Sequence, residues 1–191
     1  AGNDYAALFG ALSARPGMSA GELASLMVDV YGAFYTARPD VYKKAAPPLG
    51  GATLSAVKAS EMEGLAARLD SFASLALAEG GDLAAVKAAR DEALRFNAAG
   101  SVDLYDFMRQ TARRTRDPAL AAKAKEIGQY LAGTLVTANA AVGSYAGRAR
   151  GLSVYVPSPG QGSAWFGPTG GFEDLRLGKT AWGALASALA K

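Results

Sequence analysis

Two pairs of closely spaced carboxylates could serve as a general acid and a general base. Asp103 precedes Asp106 by three positions, and Glu173 is adjacent to Asp174. A glycosidase needs two carboxylates that face each other across a substrate cleft. Asp103, however, stands directly before an apolar helical pattern, at a position where aspartate caps a helix. The sequence therefore favours a helix cap at Asp103, and it defines no cleft.

A Ser-x-x-Lys motif joins Ser55 to Lys58, and Lys179-Thr180-Ala181 nearly matches a Lys-Thr-Gly motif. Penicillin-recognising enzymes use these motifs, with the serine at a helix start and the lysine one turn later, so that the two side chains meet. Here residues 53–57 alternate as a strand does, and no Ser-Asp-Asn motif lies between the two matches. We therefore interpret the match as chance.

Arginines and lysines crowd residues 109–125, at Arg109, Arg113, Arg114, Arg116, Lys123 and Lys125. A nucleic-acid site would interleave such cations with aromatic residues, and the one nearby aromatic, Phe107, is predicted to face the core. Arginines in the last turn of a helix also complement the helix dipole. The cluster therefore predicts a solvated helix end and no nucleic-acid partner.

The chain contains no cysteine and no histidine. Without cysteine it has no thiol nucleophile, disulfide or zinc-thiolate site. Without histidine it lacks the commonest general base, so Cys-His and Ser-His-Asp catalysis are excluded within this chain alone. The net charge of +3 does not demand a polyanionic partner.

With 191 residues, 50% hydrophobic and 19% charged, the chain can form one domain with a real core, which excludes a disordered chain. No apolar run approaches the roughly 18 to 20 residues that span a bilayer, so no membrane span is predicted. The chain begins at Ala1 without a signal-peptide pattern, which predicts a processed or truncated product.

Six or seven helices are predicted from apolar residues at helical spacing behind a capping residue. Ser19 with Glu22, and Ser60 with Glu63, have the spacing of a capping box. The helix after Asp82 is expected to reach about Phe96. The predicted caps are Asn3 or Asp4, Ser19, Ser60, Asp82, Asp103, Asp117 and Thr180. The predicted inward residues of the Ser60 helix are Met62, Leu65, Leu69 and Phe72, and the helix from Pro118 is expected to end near Gly143.

Strands are predicted near residues 53–57 and 152–156. Because an isolated strand leaves backbone groups unpaired, these two should pair with each other or join a sheet supplied by another domain. No repeat and no interior linker appears. The predicted fold is a mainly α helical bundle with a small β element, formed by residues 1–191 as a single unit.

Several segments, in order along the chain, resemble clostripain-like cysteine peptidases. Thr-Leu-Ser-Ala-Val at 53–57 is similar to that family's Thr-Leu-Ser-Ala-Ile strand, and Val-Asp-Leu-Tyr-Asp-Phe at 102–107 resembles a helix start of the family. Gly-Leu-Ser-Val-Tyr-Val-Pro at 151–157 resembles a strand of the family. Further matches are Asp4-Tyr5 with Leu8 and Leu12, Glu22-Leu23-Ala24, Val28-Asp29-Val30-Tyr31 with Tyr35, and Thr180-Ala181-Trp182 with Leu185.

The resemblance spans nearly all of the chain and implies the C-terminal helical subdomain of a caspase-like α/β peptidase. The catalytic His and Cys would lie upstream of the first matching residue, in a domain absent from this chain. Family members are often cut into two associated chains, which fits a start at Ala1. By resemblance, the whole enzyme would be secreted or periplasmic, would cleave a peptide or protein substrate, and could use calcium, while this chain holds no cofactor.

Residues 1–5 align with a stretch that approaches the basic-residue pocket in relatives. Ala1 would replace an acidic group there, and Lys58 stands where relatives often carry aspartate. Asn3 and Asp4 are therefore the candidate substrate-binding residues, and both can also be helix caps. The alternatives are a stand-alone helical binding module without catalysis, or a catalytically dead relative of the peptidases.

Overall fold

The computed structural model describes residues 4–41, 50–96, 100–160, 171–172 and 174–191. The described chain is mainly helical with a small antiparallel β element, which confirms that part of the prediction. The helices are α1 (Tyr5–Ala14), α2 (Ala20–Ala37), α3 (Met62–Leu77), α4 (Leu83–Glu92), α5 (Leu104–Arg114), α6 (Pro118–Tyr130) and α7 (Ala181–Leu189). The strands are β1 (Gly51–Val57), β2 (Ser101–Asp103), β3 (Val136–Gly143) and β4 (Ser153–Tyr155).

Most helices begin at the capping residue that the sequence predicts. Ser19 and Glu22 form a complete capping box before α2, and Pro118 occupies the first turn of α6 behind Asp117. Each cap satisfies a backbone N–H group that has no partner within the helix. The confirmed caps are Asp4, Ser19, Asp82, Asp103, Asp117 and Thr180.

The helical core consists of α3 to α7 with β2 and β4. Its centre is an aromatic cluster in which Phe72, Phe107 and Trp182 lie with ring centroids 6.2 to 6.3 Å apart. Each of these side chains is at most 1% exposed. The three rings come from α3, α5 and α7, so the cluster joins helices that are far apart in sequence.

The sheet lobe consists of α1, α2, β1 and β3. β1 and β3 are antiparallel, with Gly51 opposite Gly143 and Ser55 opposite Asn139. α2 packs on this two-stranded sheet through Tyr31 and Tyr35, and α1 packs on α2. Gly32 permits the approach, because a Cβ atom there would lie 3.0 Å from the Ala140 Cβ.

The expected pairing of the two predicted strands with each other is wrong. β1 pairs with β3, whereas β4 pairs with β2 through Val102 opposite Val154. The segment containing Arg95 forms a bridge to Val102 on the other side of β2. Each predicted strand thus has a partner within the chain that the sequence patterns did not reveal.

The prediction of one helix from Pro118 to near Gly143 is also wrong. α6 ends at Tyr130, a π turn spans Leu131–Leu135, and the chain continues as β3. Leu131 and Leu135 stay buried at helical spacing, which explains the prediction. After the turn, β3 pairs with β1, and this pairing satisfies the backbone N–H and C=O groups. The tertiary pairing therefore overrides the helical pattern of the sequence.

Two further helix boundaries differ from the predictions. The Ser60–Glu63 capping box does not form, because residues 59–61 make a 3₁₀ turn and Glu61 precedes α3 without a side-chain cap. Met62, predicted to face inward, is 41% exposed at this helix start. α4 ends before Phe96, because the following residues lie alongside β2.

Candidate functional site

Asp103, completely buried, joins two segments of the chain. Its carboxylate accepts hydrogen bonds from the Asp106 N–H at 2.8 Å, as a cap of α5, and from the Arg150 N–H at 2.9 Å. The first bond starts the helix. The second bond holds the segment that leads into β4, the strand that pairs with β2.

Asp106 lies one turn further along α5 and is also completely buried. Its carboxylate accepts from the Leu94 N–H at 2.8 Å and from the guanidinium groups of Arg109 and Arg148, each at 2.6 Å. Both arginine side chains remain about two-fifths exposed, at 43% and 41%. Asp106 therefore anchors the end of α4 and the segment before β4 to the first turn of α5.

The two aspartates titrate in opposite directions. Burial raises the pKa of Asp103 more than its N–H donors lower it. Burial also acts to raise the pKa of Asp106, but hydrogen bonds from Arg148, Arg109 and the Leu94 N–H together hold this pKa below its ordinary value. Each carboxylate is occupied by the chain's own donors, and neither is a lining residue of the five grooves between Met62 and Leu177, between α5 and α6, at Ala132, between α1 and α2, or at Arg15. The arrangement fixes structure rather than positioning an acid and base on a substrate.

The Ser55–Lys58 motif lies on β1 and the residue after it. The Ser55 hydroxyl donates to the Asn139 Oδ1 at 2.7 Å across the sheet. Lys58 follows the strand with an exposed side chain. The strand geometry therefore removes the helical-turn spacing that a serine–lysine nucleophile requires.

The cationic groove runs between α5 and α6, with a volume of about 360 Å³. Its floor includes Met108 and Tyr105, and Arg113 and Lys125 lie at its edges. Among the described residues, no aspartate or glutamate lines it. Arg109, also at its edge, is paired with Asp106, and Arg114 outside the groove pairs with Glu92.

An apolar groove of about 310 Å³ lies between α3 and β4, lined by Leu65, Leu69 and Val154 among others. Arg176 and Glu63 form an exposed ion pair at its edge. The groove can accommodate apolar groups, and its residues include no acid paired with a nucleophile.

Asp4, one of the two candidate substrate-binding residues, caps α1 by accepting from the Ala7 N–H at 3.0 Å. It also lines a shallow groove of about 350 Å³ between α1 and α2, together with Phe34 and Arg38. The cap occupies Oδ1 of the carboxylate. Asn3 lies outside the described residues, as does Glu173.

Helix α1 presents aromatic side chains to solvent. Tyr5 and Phe9 lie one turn apart, are 59% and 60% exposed, and stack with ring centroids 6.1 Å apart. Leu8, the residue before Phe9, is buried. The exposed pair contrasts with the buried aromatics of the helical core, and the capping geometry of α1 does not require it.

The described residues provide no fitting ligand set for calcium, which the family resemblance implies for a whole enzyme. Across the described ranges no three Asp, Glu, His or Cys side chains cluster as a metal site would. The acidic pair Asp103 and Asp106 is already occupied by backbone N–H groups and guanidinium groups.

None of the described helices is both long and apolar enough to cross a bilayer. Comparison with known proteins returns no matching family model, no matching curated protein and no matching solved structure.

Proposed function

We propose that this chain is the C-terminal, non-nucleophile segment of a clostripain-like cysteine endopeptidase. An upstream segment would supply the cysteine thiolate that attacks the scissile carbonyl and the histidine that assists it. The present chain would support that catalytic domain and contribute to the rim of the peptide groove. The enzyme would act outside the cytoplasm, as the resemblance implies.

The observation that carries this proposal is the exposed aromatic pair on α1, Tyr5 and Phe9. Large apolar side chains exposed side by side are typical of surfaces that another protein covers. Within the described residues the sheet has two strands, β1 and β3, with α2 packed on it, and further packing would add to its stability. An upstream domain docked on the sheet lobe would cover both features.

The placement of the resembling segments also supports the proposal. The segments 102–107 and 151–157 are far apart in the sequence, yet they pair as β2 and β4, with Val102 opposite Val154 and Asp103 opposite Ser153. Trp182, from the last resembling segment, packs against Phe107 of the second. These three segments thus occur in one structural unit, the helical core, as parts of one subdomain would.

The test is to produce residues 1–191 alone and together with the protein encoded directly upstream. We expect the chain alone to hydrolyse no Arg- or Lys-containing peptide, since it has neither cysteine nor histidine. With the upstream segment, a stable complex should elute together in gel filtration, melt at a higher temperature, and cleave the peptide. Cleavage by the chain alone would contradict the assignment of chemistry to the missing part.

A double substitution locates the interface. Tyr5→Ser with Phe9→Ser should leave the free chain folded and weaken the complex, because both side chains are exposed in the free chain. The matched control is Met62→Ser with Leu175→Ser, which removes two exposed apolar side chains from the helical core surface. A free chain that stays monomeric and gains no stability beside the upstream segment would instead favour a stand-alone binding module.

A further inference from the structure

We infer that the cationic groove between α5 and α6 is a docking site for an acidic peptide segment of a partner protein, one that carries an apolar side chain between carboxylates. This inference does not rest on the peptidase proposal. It follows from the charges, the floor and the shape of the groove.

Two cations of the groove have no side-chain partner among the described residues. Arg113 and Lys125 make no ion pair or hydrogen bond through their side chains with any described residue, whereas neighbouring Arg109, Arg114 and Lys123 do. The groove has no acidic lining residue in the described chain. Unpaired cations on both edges attract carboxylates, and charge complementarity of this kind sets partner specificity and association rate.

A second depression, lined by Asn139 and Arg150, adjoins the groove at Ala132. Ala132 belongs to both, and the Arg150 guanidinium lies 5.3 Å from the Tyr105 ring centre. Arg150 has no side-chain ion pair with a described residue. Cations therefore line both adjoining depressions, and apolar residues such as Met108 and Ala132 lie among them, which matches carboxylates on either side of an apolar residue.

The floor is apolar and narrow. Met108, an adaptable side chain, and Tyr105 lie on the α5 side. The opposite side has small residues at four-residue spacing along α6 and the π turn after it: Ala124, Gly128 and Ala132. A Cβ atom at Gly128 would meet only the Tyr105 ring, at 3.8 Å. The absence of side chains at this point gives the apolar anchor of a peptide room to enter.

A peptide fits better than a nucleic acid. Proteins bind single-stranded nucleic acids by stacking the bases on exposed aromatic side chains. In this groove Tyr105 is partly buried and the Arg150 guanidinium lies over its ring. The net charge of the chain is only +3, which provides little of the broad positive field that attracts a phosphate backbone. A short acidic segment needs only the local charges of the groove.

The first experiment measures binding of the fluorescent hexapeptide acetyl-Asp-Glu-Leu-Phe-Glu-Asp-amide to residues 1–191 by polarisation. Its counterpart with Asn and Gln in place of Asp and Glu should bind at least about tenfold more weakly. Affinity for the acidic peptide should fall as salt increases, since the groove charges are exposed. Equal binding of both peptides, or no binding of the acidic one, would overturn the inference.

The second experiment changes the groove charges. Arg113→Glu with Lys125→Glu should weaken the acidic peptide by at least about tenfold. Lys58→Glu with Lys179→Glu changes the net charge equally on exposed residues away from the groove and should alter affinity less than about twofold. Equal losses in the two double variants would show nonspecific attraction and overturn the inference.

The third experiment changes the shape of the groove. Gly128→Leu should fill the floor and abolish binding, whereas Gly128→Ala should retain it, because its methyl group makes only ordinary contact with Tyr105. Circular dichroism and melting curves establish that each variant is folded. If Gly128→Leu unfolds the chain, the charge variants still decide the question.

A further measurement compares an oligouridylate with the acidic peptide. If the oligouridylate binds more tightly, and this binding is lost in Arg113→Glu with Lys125→Glu, the inference is overturned in favour of RNA.

Discussion

The helical core and the sheet lobe are packed very differently. In the core, the aromatic side chains from α3, α5 and α7 are almost completely excluded from solvent. The buried charged residues Asp103, Asp106 and Arg90 all make hydrogen bonds. In the described part of the lobe, the buried apolar residues are Leu8, Val28, Tyr31, Tyr35 and Ala52. The same lobe exposes Tyr5 and Phe9. The core provides its own stability, and the lobe is the region where a partner has most to add.

The largest expected effect is in the core. Phe107→Ala removes a fully buried ring that contacts Phe72 and Trp182, and it should lower the free energy of unfolding by about 4 kcal/mol. The same deletion in the lobe, Phe9→Ala, removes a side chain that is 60% exposed and should change it by less than about 0.5 kcal/mol. Urea unfolding of both variants measures this difference. Similar losses in the free energy of unfolding would contradict the contrast between core and lobe.

A smaller effect is expected from Asp106→Asn. The amide keeps the shape but cannot accept from the Leu94 N–H and both guanidinium groups at once. Loss of these charge-assisted bonds should lower the free energy of unfolding by about 3 kcal/mol at neutral pH. The loss is not larger because water can hydrate the partly exposed arginine side chains. Asp174→Asn, at an exposed position of the core surface, is the control and should leave the unfolding midpoint unchanged.

The same variant predicts a pH dependence. The folded-state pKa of Asp106 lies below its ordinary value, so its contribution is complete above the ordinary aspartate pKa of about 4 and is lost as pH falls through the lowered pKa. The difference in stability between the parent chain and Asp106→Asn should therefore shrink below about pH 4. Asp103, with a raised pKa, has the opposite dependence, because its stabilisation declines as pH rises through that pKa. A parent–variant difference that stays constant from neutral to acidic pH would contradict the assignment.

The smallest effect tests the lobe itself. Gly10, within α1, has open space where a Cβ atom would lie, whereas a Cβ at Gly32 would crowd Ala140 on β3. Gly10→Ala should raise the free energy of unfolding by up to about 1 kcal/mol through helix propensity, and Gly32→Ala should raise it less or lower it. Melting curves that show Gly32→Ala as the more stabilising change would mean that α2 does not lie closely on β3.

The features predicted from sequence are those that depend on neighbours along the chain. Asp82 or Thr180 can be identified as caps because the N–H groups they bind lie within three residues. β1 and β4 are identified by their own alternation. The mainly α class follows in the same way, from many short-range signals that agree.

The features not predicted depend on distant partners. Leu94 and Arg148 meet at Asp106 only after α4, α5 and the segment before β4 have packed together. Arg90, buried in α4, donates to the carbonyl groups of Pro157 and Leu189, 67 and 99 positions away. The arginine cluster was visible in the sequence, but the groove it borders exists only because α5 and α6 lie side by side. The substrate-binding role of Asn3 and Asp4 stays a prediction.

The antiparallel pairing of β1 with β3 has a consequence for the order in which the chain folds. Ser55 meets Asn139 across 84 positions, and the Asp70 carboxylate accepts from the Ala181 N–H across 111. Closing such long loops costs entropy before any contact repays it, so these pairings form slowly. α5 and α6, joined by residues 115–117, can associate at once. We therefore expect α5 and α6 to associate early in folding and the strand pair to close late, when the π turn at the end of α6 brings β3 to β1.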